Sequence, residues 1–114
     1  MKTEYEQNTE RLTQMVEIFK ALGDLTRLQL IGFLTGSKEE SFCVNELAEK
    51  LQVSQSAISQ HLKILKNIGL VIPNRVGFHK YYTIEVAKLE EIRSNINVLY
   101  ASAFSRCQNF EKEK

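Results

Sequence analysis

The chain has no tryptophan, one proline, two cysteines and two histidines in 114 residues, and across residues 51–84 it has no aspartate or glutamate at all. Each shortage closes a route. Cys43 and Cys107 lie far apart without CxxC or CxxxC spacing, which fits a reducing compartment better than a disulfide framework. His61 and His79 are the only near-neutral acid–base groups, and neither a Ser-His-Asp or Cys-His order nor a phosphate loop accompanies them, so an enzyme is not expected. No apolar run is long enough for a membrane span, and no basic segment leads into an apolar one as in a signal peptide, so the expected location is the cytoplasm, away from any membrane. A hydrophobic share of 43% over this length supports one modest core, hence a single domain over residues 1–114.

What the acid-free stretch does contain is Lys63, Lys66, Arg75, Lys80 and both histidines. The formal net charge is only +1, so the acids sit elsewhere and the charge is segregated within one small domain. Such a face is suited to a polyanion, and double-stranded DNA is the expected partner.

Apolar periodicity organises the rest. Leu12, Met15, Val16, Phe19 and Leu22 recur at helical spacing, with Glu10, Arg11, Gln14, Glu17 and Lys20 on the other face, and Gly23 ends this first helix. Asp24 can cap a second helix, in which Leu25, Leu28, Ile31 and Leu34 form the expected buried stripe, ending near Gly36. Residues 37–41 read as a polar loop. Val44, Leu47, Ala48 and Leu51 mark a short third helix, Gln52-Val53 a tight link, and Ser54 the N-cap of a fourth helix that buries Ile58, Leu62 and Leu65. Two helices joined by so short a turn, over residues 44–68, form a helix-turn-helix.

Beyond Gly69, a left-handed stop, the pattern becomes extended. Leu70-Val71-Ile72 and the aromatic, β-branched run of residues 78–84 read as a hairpin, or wing, over residues 70–84. Pro73 suits an edge strand or bulge, Gly77 the tip, and alternation puts one of Tyr81 and Tyr82 inward. Leu89, Ile92, Ile96, Leu99 and Ala103 line a long last helix. The stripes of residues 9–22 and 85–108 are most simply covered across a two-fold axis, and only the tail, residues 111–114, reads as frayed. The expected fold is therefore mainly α with a β-hairpin: a homodimeric winged helix-turn-helix of four helices, two strands and a last helix.

A helix that reads DNA must expose short polar groups over its first turns, where they reach base edges in the major groove. Gln55, Ser56, Ser59, Gln60 and Lys63 meet that need: Gln can bond bidentately to adenine, Ser can donate or accept, and Lys63 can reach phosphate or guanine. Gln55 and Ser56 also lie at the helix N-terminus, where free N–H groups favour a phosphate. In an arbitrary helix these would be ordinary solvated positions, and the absence of acid is what favours the DNA reading. His61 fits a packing or surface role better than a base contact. Arg75 can fork onto phosphate or enter a narrow minor groove, with His79 and Lys80 beside it.

The run Ala21-Leu22-Gly23-Asp24-Leu25-Thr26-Arg27-Leu28 resembles the second-helix entry of the ArsR/SmtB family of winged-helix repressors, with Leu25 where many members carry proline. Residues 43–48 resemble that family's third helix, residues 54–62 its recognition helix, and Gly69-Leu70-Val71 through Tyr81-Tyr82 its wing, so the resemblance spans about residues 12–100. It implies a homodimer that occupies an operator near its own or a neighbouring promoter and leaves when an inducer binds. It implies, too, that Arg75, His79 and Lys80 contact the DNA backbone or a flanking minor groove.

The family's metal sites are not expected here. The third-helix motif keeps Cys43 but has Asn45 and Ala48 where further cysteines would lie, and the positions matching the last-helix site are Val86, Lys88, Leu99 and Ser102. No cofactor is implied and the inducer stays open. Cys43, at the expected N-cap of the third helix with Glu46 three residues on, and Cys107 could instead form a thiol-redox or persulfide sensor like the two-cysteine members of the family. Those members carry their cysteines where this chain has Gly32 and Ala101. A winged helix used for protein–protein contact is the rival from another class.

Overall fold

The computed structural model describes residues 3–36 and 42–112. Its elements are α1 (Glu4–Leu22), α2 (Leu25–Gly36), β1 (Phe42–Cys43), α3 (Val44–Leu51), α4 (Gln55–Asn67), β2 (Val71–Val76), β3 (His79–Ile84) and α5 (Val86–Lys112). The four-helix, hairpin, helix order is thus present with one addition, a short strand before α3. The polar loop expected at residues 37–41 lies outside the described residues, as do residues 113 and 114 of the expected frayed tail, while α5 continues through Lys112.

Local chemistry sets the boundaries. Thr3 and Glu6 close a capping box that starts α1 earlier than its apolar stripe implies, with Thr3 Oγ1 accepting from the Glu6 N–H at 3.2 Å. Asp24 Oδ1 accepts from the Arg27 N–H at 3.1 Å and caps α2. That bond is the main reason the Asp24 carboxyl lies below its usual range. Gly69, at φ 81°, supplies the left-handed stop after α4.

The core is built around α4. Ile58, Leu62 and Leu65 are fully buried, together with Leu30, Leu47 and Leu70, and each such side chain contributes on the order of 2 kcal/mol by leaving water. Two expected stripes are corrected. In α2 the buried pair is Leu30 and Leu34, whereas Leu25 and Leu28 are exposed. In α1 the protomer buries Met15, Ile18 and Ala21, and leaves Leu12, Val16 and Phe19 outside. Both helices carry apolar residues on more than one face, so periodicity alone misassigns the inward one. On α5 only Ile92 of the expected stripe is buried; Leu89, Ile96 and Leu99 remain exposed. The radius of gyration, 18.0 Å, exceeds the roughly 13 Å of a compact domain of about 100 residues, as a long projecting helix requires.

The sheet order is β1-β3-β2, with both pairings antiparallel. Val76 pairs with His79 across the two-residue loop Gly77-Phe78. Gly77 has φ 62° while Phe78 stays at negative φ, the pattern of a type II′ turn. Counting from that narrow pair, Pro73 opposite Tyr82 falls in a non-hydrogen-bonded pair on the edge strand, where the missing N–H costs no ladder bond. Of the two tyrosines, Tyr82 is buried and Tyr81 is half-buried.

Candidate nucleic-acid interface

The turn between α3 and α4 is tight because Gln52 adopts the left-handed region, φ 55° and ψ 44°. The N–H of Val53 then returns to the Ala48 carbonyl at 3.2 Å. Gln52 is the only non-glycine residue with positive φ among those described, and its side chain is exposed. Gln52→Gly is therefore expected to stabilise the fold by roughly 1 kcal/mol by removing the Cβ clash, read as a raised urea midpoint at unchanged slope.

Ser54 Oγ accepts from the Ala57 N–H at 3.0 Å and starts α4. With Ile58, Leu62 and Leu65 turned inward, the i, i+3, i+4 geometry gathers Gln55, Ser56, Ser59, Gln60 and Lys63 onto one exposed stripe. The wing residues are divided by strand alternation. Arg75 and Lys80 are directly opposite each other, on the same face as the Pro73–Tyr82 and Val71–Ile84 pairs. Their pair is of the closer, non-hydrogen-bonded kind, in which like charges oppose folding. Lys80 Nζ lies 5.9 Å from the Tyr82 ring centroid. His79 projects to the other face, its ring 6.2 Å from that of Tyr81.

No ion pair of the described residues involves Lys63, Lys66, Arg75 or Lys80. The ion pairs lie on α1, on α5 and between Asp24 at the α1–α2 corner and His61 on α4, 3.8 Å apart. The surface thus offers a helix stripe rich in hydrogen-bonding groups and, beside it, a hairpin with two closely spaced cations left for an outside anion.

The two cysteines lie on different elements. Cys43 is the N-cap of α3, where the capping-box carboxylate of Glu46 accepts from its N–H at 3.3 Å and its thiol at 3.1 Å. The thiol's hydrogen bond is the leading cause of a Glu46 carboxyl held below its usual range. Cys43 is half-buried, Cys107 is exposed on α5, and both are free thiols. Among the described residues no three His, Cys, Asp or Glu side chains cluster closely enough to hold a metal ion.

Three features escape a reading of the chain alone. Strand β1 ties the wing to α3 through Phe42 opposite Tyr82 and Cys43 opposite Tyr81. Phe78 stands fully exposed at the wing tip. His61, half-buried, meets Arg27 from 34 positions away, with Nη1 and Nδ1 3.2 Å apart. A polar residue between inward-facing Ile58 and Leu62 is the one signal for the last.

A helix-turn-helix followed by a basic hairpin, on a core that leaves both free, defines a winged-helix DNA-binding regulator. Comparison with known proteins narrows the class. The model of bacterial regulatory proteins of the arsR family matches residues 24–72, from the α2 cap into β2. An uncharacterised HTH-type transcriptional regulator of Methanocaldococcus jannaschii is 37% identical over 83 residues, 73% of this chain and 91% of the relative. The structure of an ArsR-like transcriptional regulator from Rhodococcus sp. RHA1 superposes with a TM-score of 0.75 at 27% identity, covering 89% of this chain and 92% of that one. A homodimeric winged helix-turn-helix DNA-binding domain from Mycobacterium bovis matches with a TM-score of 0.64 at 25% identity, covering 90% and 88%. The chain belongs to the ArsR family of bacterial transcriptional regulators.

Proposed function

We propose that the protein acts in the cytoplasm as a homodimeric repressor, holding a double-stranded operator at its own or a neighbouring promoter until an inducer releases it. Gln55, Ser56, Ser59, Gln60 and Lys63 enter the major groove, while Arg75, His79 and Lys80 engage the flanking backbone or minor groove. The observation that carries this reading is the combination of an acid-free exposed stripe on α4 with an Arg75–Lys80 cross-strand pair that has no acidic partner among the described residues. Two cations facing each other cost the isolated hairpin stability, and phosphates between or beside them reverse the sign.

The dimer is supported by the apolar surfaces left on α1 and α5. Leu12, Val16 and Phe19 on one helix and Ile96, Leu99 and Phe104 on the other are exposed in the protomer, more than a soluble surface ordinarily leaves uncovered. The homodimeric neighbour from Mycobacterium bovis supports the same assembly.

Fluorescence anisotropy on DNA from upstream of the gene, at fixed salt, tests the function. Tight binding to that duplex over a random one is the expected result, and no binding to any duplex would leave a protein–protein module. Repeating the titration after diamide or polysulfide treatment examines the signal: release would assign the switch to Cys43 and Cys107, and unchanged binding would leave them structural. Arg75→Ala is expected to weaken specific and random duplex alike and to reduce the log–log salt slope by about 0.9 for each phosphate that is no longer neutralised. An unchanged slope would remove Arg75 from the interface.

A further inference from the structure

We propose that Arg27 is a positioning residue for operator recognition: through its hydrogen bond to His61 it sets the register of the recognition helix against the end of α1. This rests on the DNA-binding reading above and names the device that aligns the reading helix with the helix expected to meet the second protomer.

Arg27 is first fixed by its own backbone. Its N–H is taken by the Asp24 cap at 3.1 Å, so the residue is held in the first turn of α2. Its side chain then runs back to α1, where Nε donates to the Ala21 carbonyl and Nη2 to the Lys20 carbonyl at 3.5 Å. Those carbonyls belong to the last turn of a helix, where acceptors lack intrahelical partners and the dipole favours a cation. Nη1 remains and lies 3.2 Å from His61 Nδ1 on α4. A guanidinium has only donors, so this contact is a hydrogen bond when Nδ1 accepts and the ring proton sits on Nε2, with Asp24 Oδ1 3.8 Å from the same nitrogen. One rigid plane therefore joins α1, α2 and α4.

The placement matters because apolar packing does not define this register alone. The seam between α1 and α4 is a solvent-open cleft lined by Glu17, Lys20, Ala21, Ile64, Asn67 and Ile68. Leu62 and Leu65, buried in the core cluster that also holds Ile18 of α1, supply non-directional apolar contacts. A planar fork with several bonds adds direction to them. His61 follows Gln60 directly in the chain, so a rotation of α4 that breaks the bond also moves the groove-reading stripe. In a dimer built on α1 and α5, the same rotation changes how the two recognition helices are presented to two half-sites.

A double-mutant cycle decides the matter. Arg27→Met, His61→Leu and the double variant are titrated against a duplex enriched from a random pool by the wild-type protein, and against the unselected pool. Each single change is expected to lower affinity for the enriched duplex roughly tenfold, with the double variant no worse than the weaker single, while affinity for the unselected pool and the dimer state stay as in wild type. His61→Gln, whose amide oxygen can accept from Nη1, recovers most of the loss. In nitrogen-15 NMR, the His61 Nδ1 resonance reports an unprotonated acceptor in wild type and a tautomer mixture in Arg27→Met. Should Arg27→Met melt early, the His61→Leu and His61→Gln pair carries the comparison.

Additive losses would overturn the proposal, as would wild-type affinity in His61→Leu or an equal loss on the unselected pool. A His61→Gln variant as weak as His61→Leu would also overturn it. Failure of the wild type to enrich any duplex would instead remove the DNA-binding reading, and the positioning role with it, while the NMR signature would still report whether the three-helix tie forms.

Discussion

Gln60→Ala is expected to lower affinity for the operator by roughly ten- to a hundredfold while leaving binding to random duplex at low salt unchanged. Gln60 lies in the second turn of α4 with its side chain in solvent, on the stripe opposite the buried Ile58, Leu62 and Leu65. The substitution removes no packing and replaces a good helix former with a better one, so the fold is not weakened. What it removes is a planar amide able to donate to and accept from a single adenine edge, a pairing worth about 1–3 kcal/mol against other bases. On the proposed reading, random duplex is held mainly by Lys63, Arg75 and Lys80 through phosphate charge, which the substitution leaves intact. Anisotropy with both duplexes at one salt concentration separates the two contributions. Equal loss on both would show that Gln60 does not read bases.

Leu99→Glu is expected to yield a folded monomer that has lost a hundredfold or more of its operator affinity. Leu99 is 45% exposed in the protomer, so a carboxylate there stays hydrated and thermal stability of the isolated chain is preserved. In the proposed dimer the same position is covered, and a buried unpaired carboxylate there costs several kcal/mol for each protomer. Once the dimer dissociates, the second half-site is no longer bound at the high effective concentration that linkage provides, a factor of about 10²–10⁴. Sedimentation velocity reads the mass, and anisotropy on one and two half-sites reads the loss. Leu99→Met, which keeps the apolar volume, should behave as wild type. A dimeric Leu99→Glu protein would place the interface elsewhere on the chain.

The helix-turn-helix was legible in the chain because its inward residues are buried by the protomer itself. Ile58, Leu62 and Leu65 follow one helical face, Ser54 caps it and Gly69 ends it, so periodicity and caps agree. On α1 and α2 the apolar residues exceed what one face can bury, and the chain alone does not distinguish a surface covered within the protomer from one left outside it. Leu25 and Leu28, read as inward, are outward for that reason. The candidate site divided in the same way. Its α4 residues were legible as one stripe, since spacing places them, and alternation in a two-residue hairpin separates His79 from Arg75 and Lys80 once the turn position is known. Strand β1 was not legible: two residues carry no period, and Phe42 and Cys43 become a strand only by pairing with Tyr82 and Tyr81 far along the chain. The Arg27–His61 contact is likewise a product of tertiary structure.

That short strand has a bearing on how such a protein could change its target. Because Phe42 and Cys43 lead directly into α3 and pair with β3, and because the Leu70 N–H bonds the Leu65 carbonyl at 3.0 Å where α4 passes into the hairpin, the wing is anchored to both helices of the helix-turn-helix. On the proposed DNA-binding reading, the offset between the bases met by α4 and the backbone met near Gly77 is then a fixed property of one protomer. Side-chain exchange on the α4 stripe can alter which letters are read without altering where the wing lands. In the proposed dimer, changes on the outward faces of α1 and α5, away from the Arg27 tie, can reset the gap between half-sites without disturbing either. On that reading, the vocabulary, the footprint and the spacing of an operator are three separately adjustable quantities.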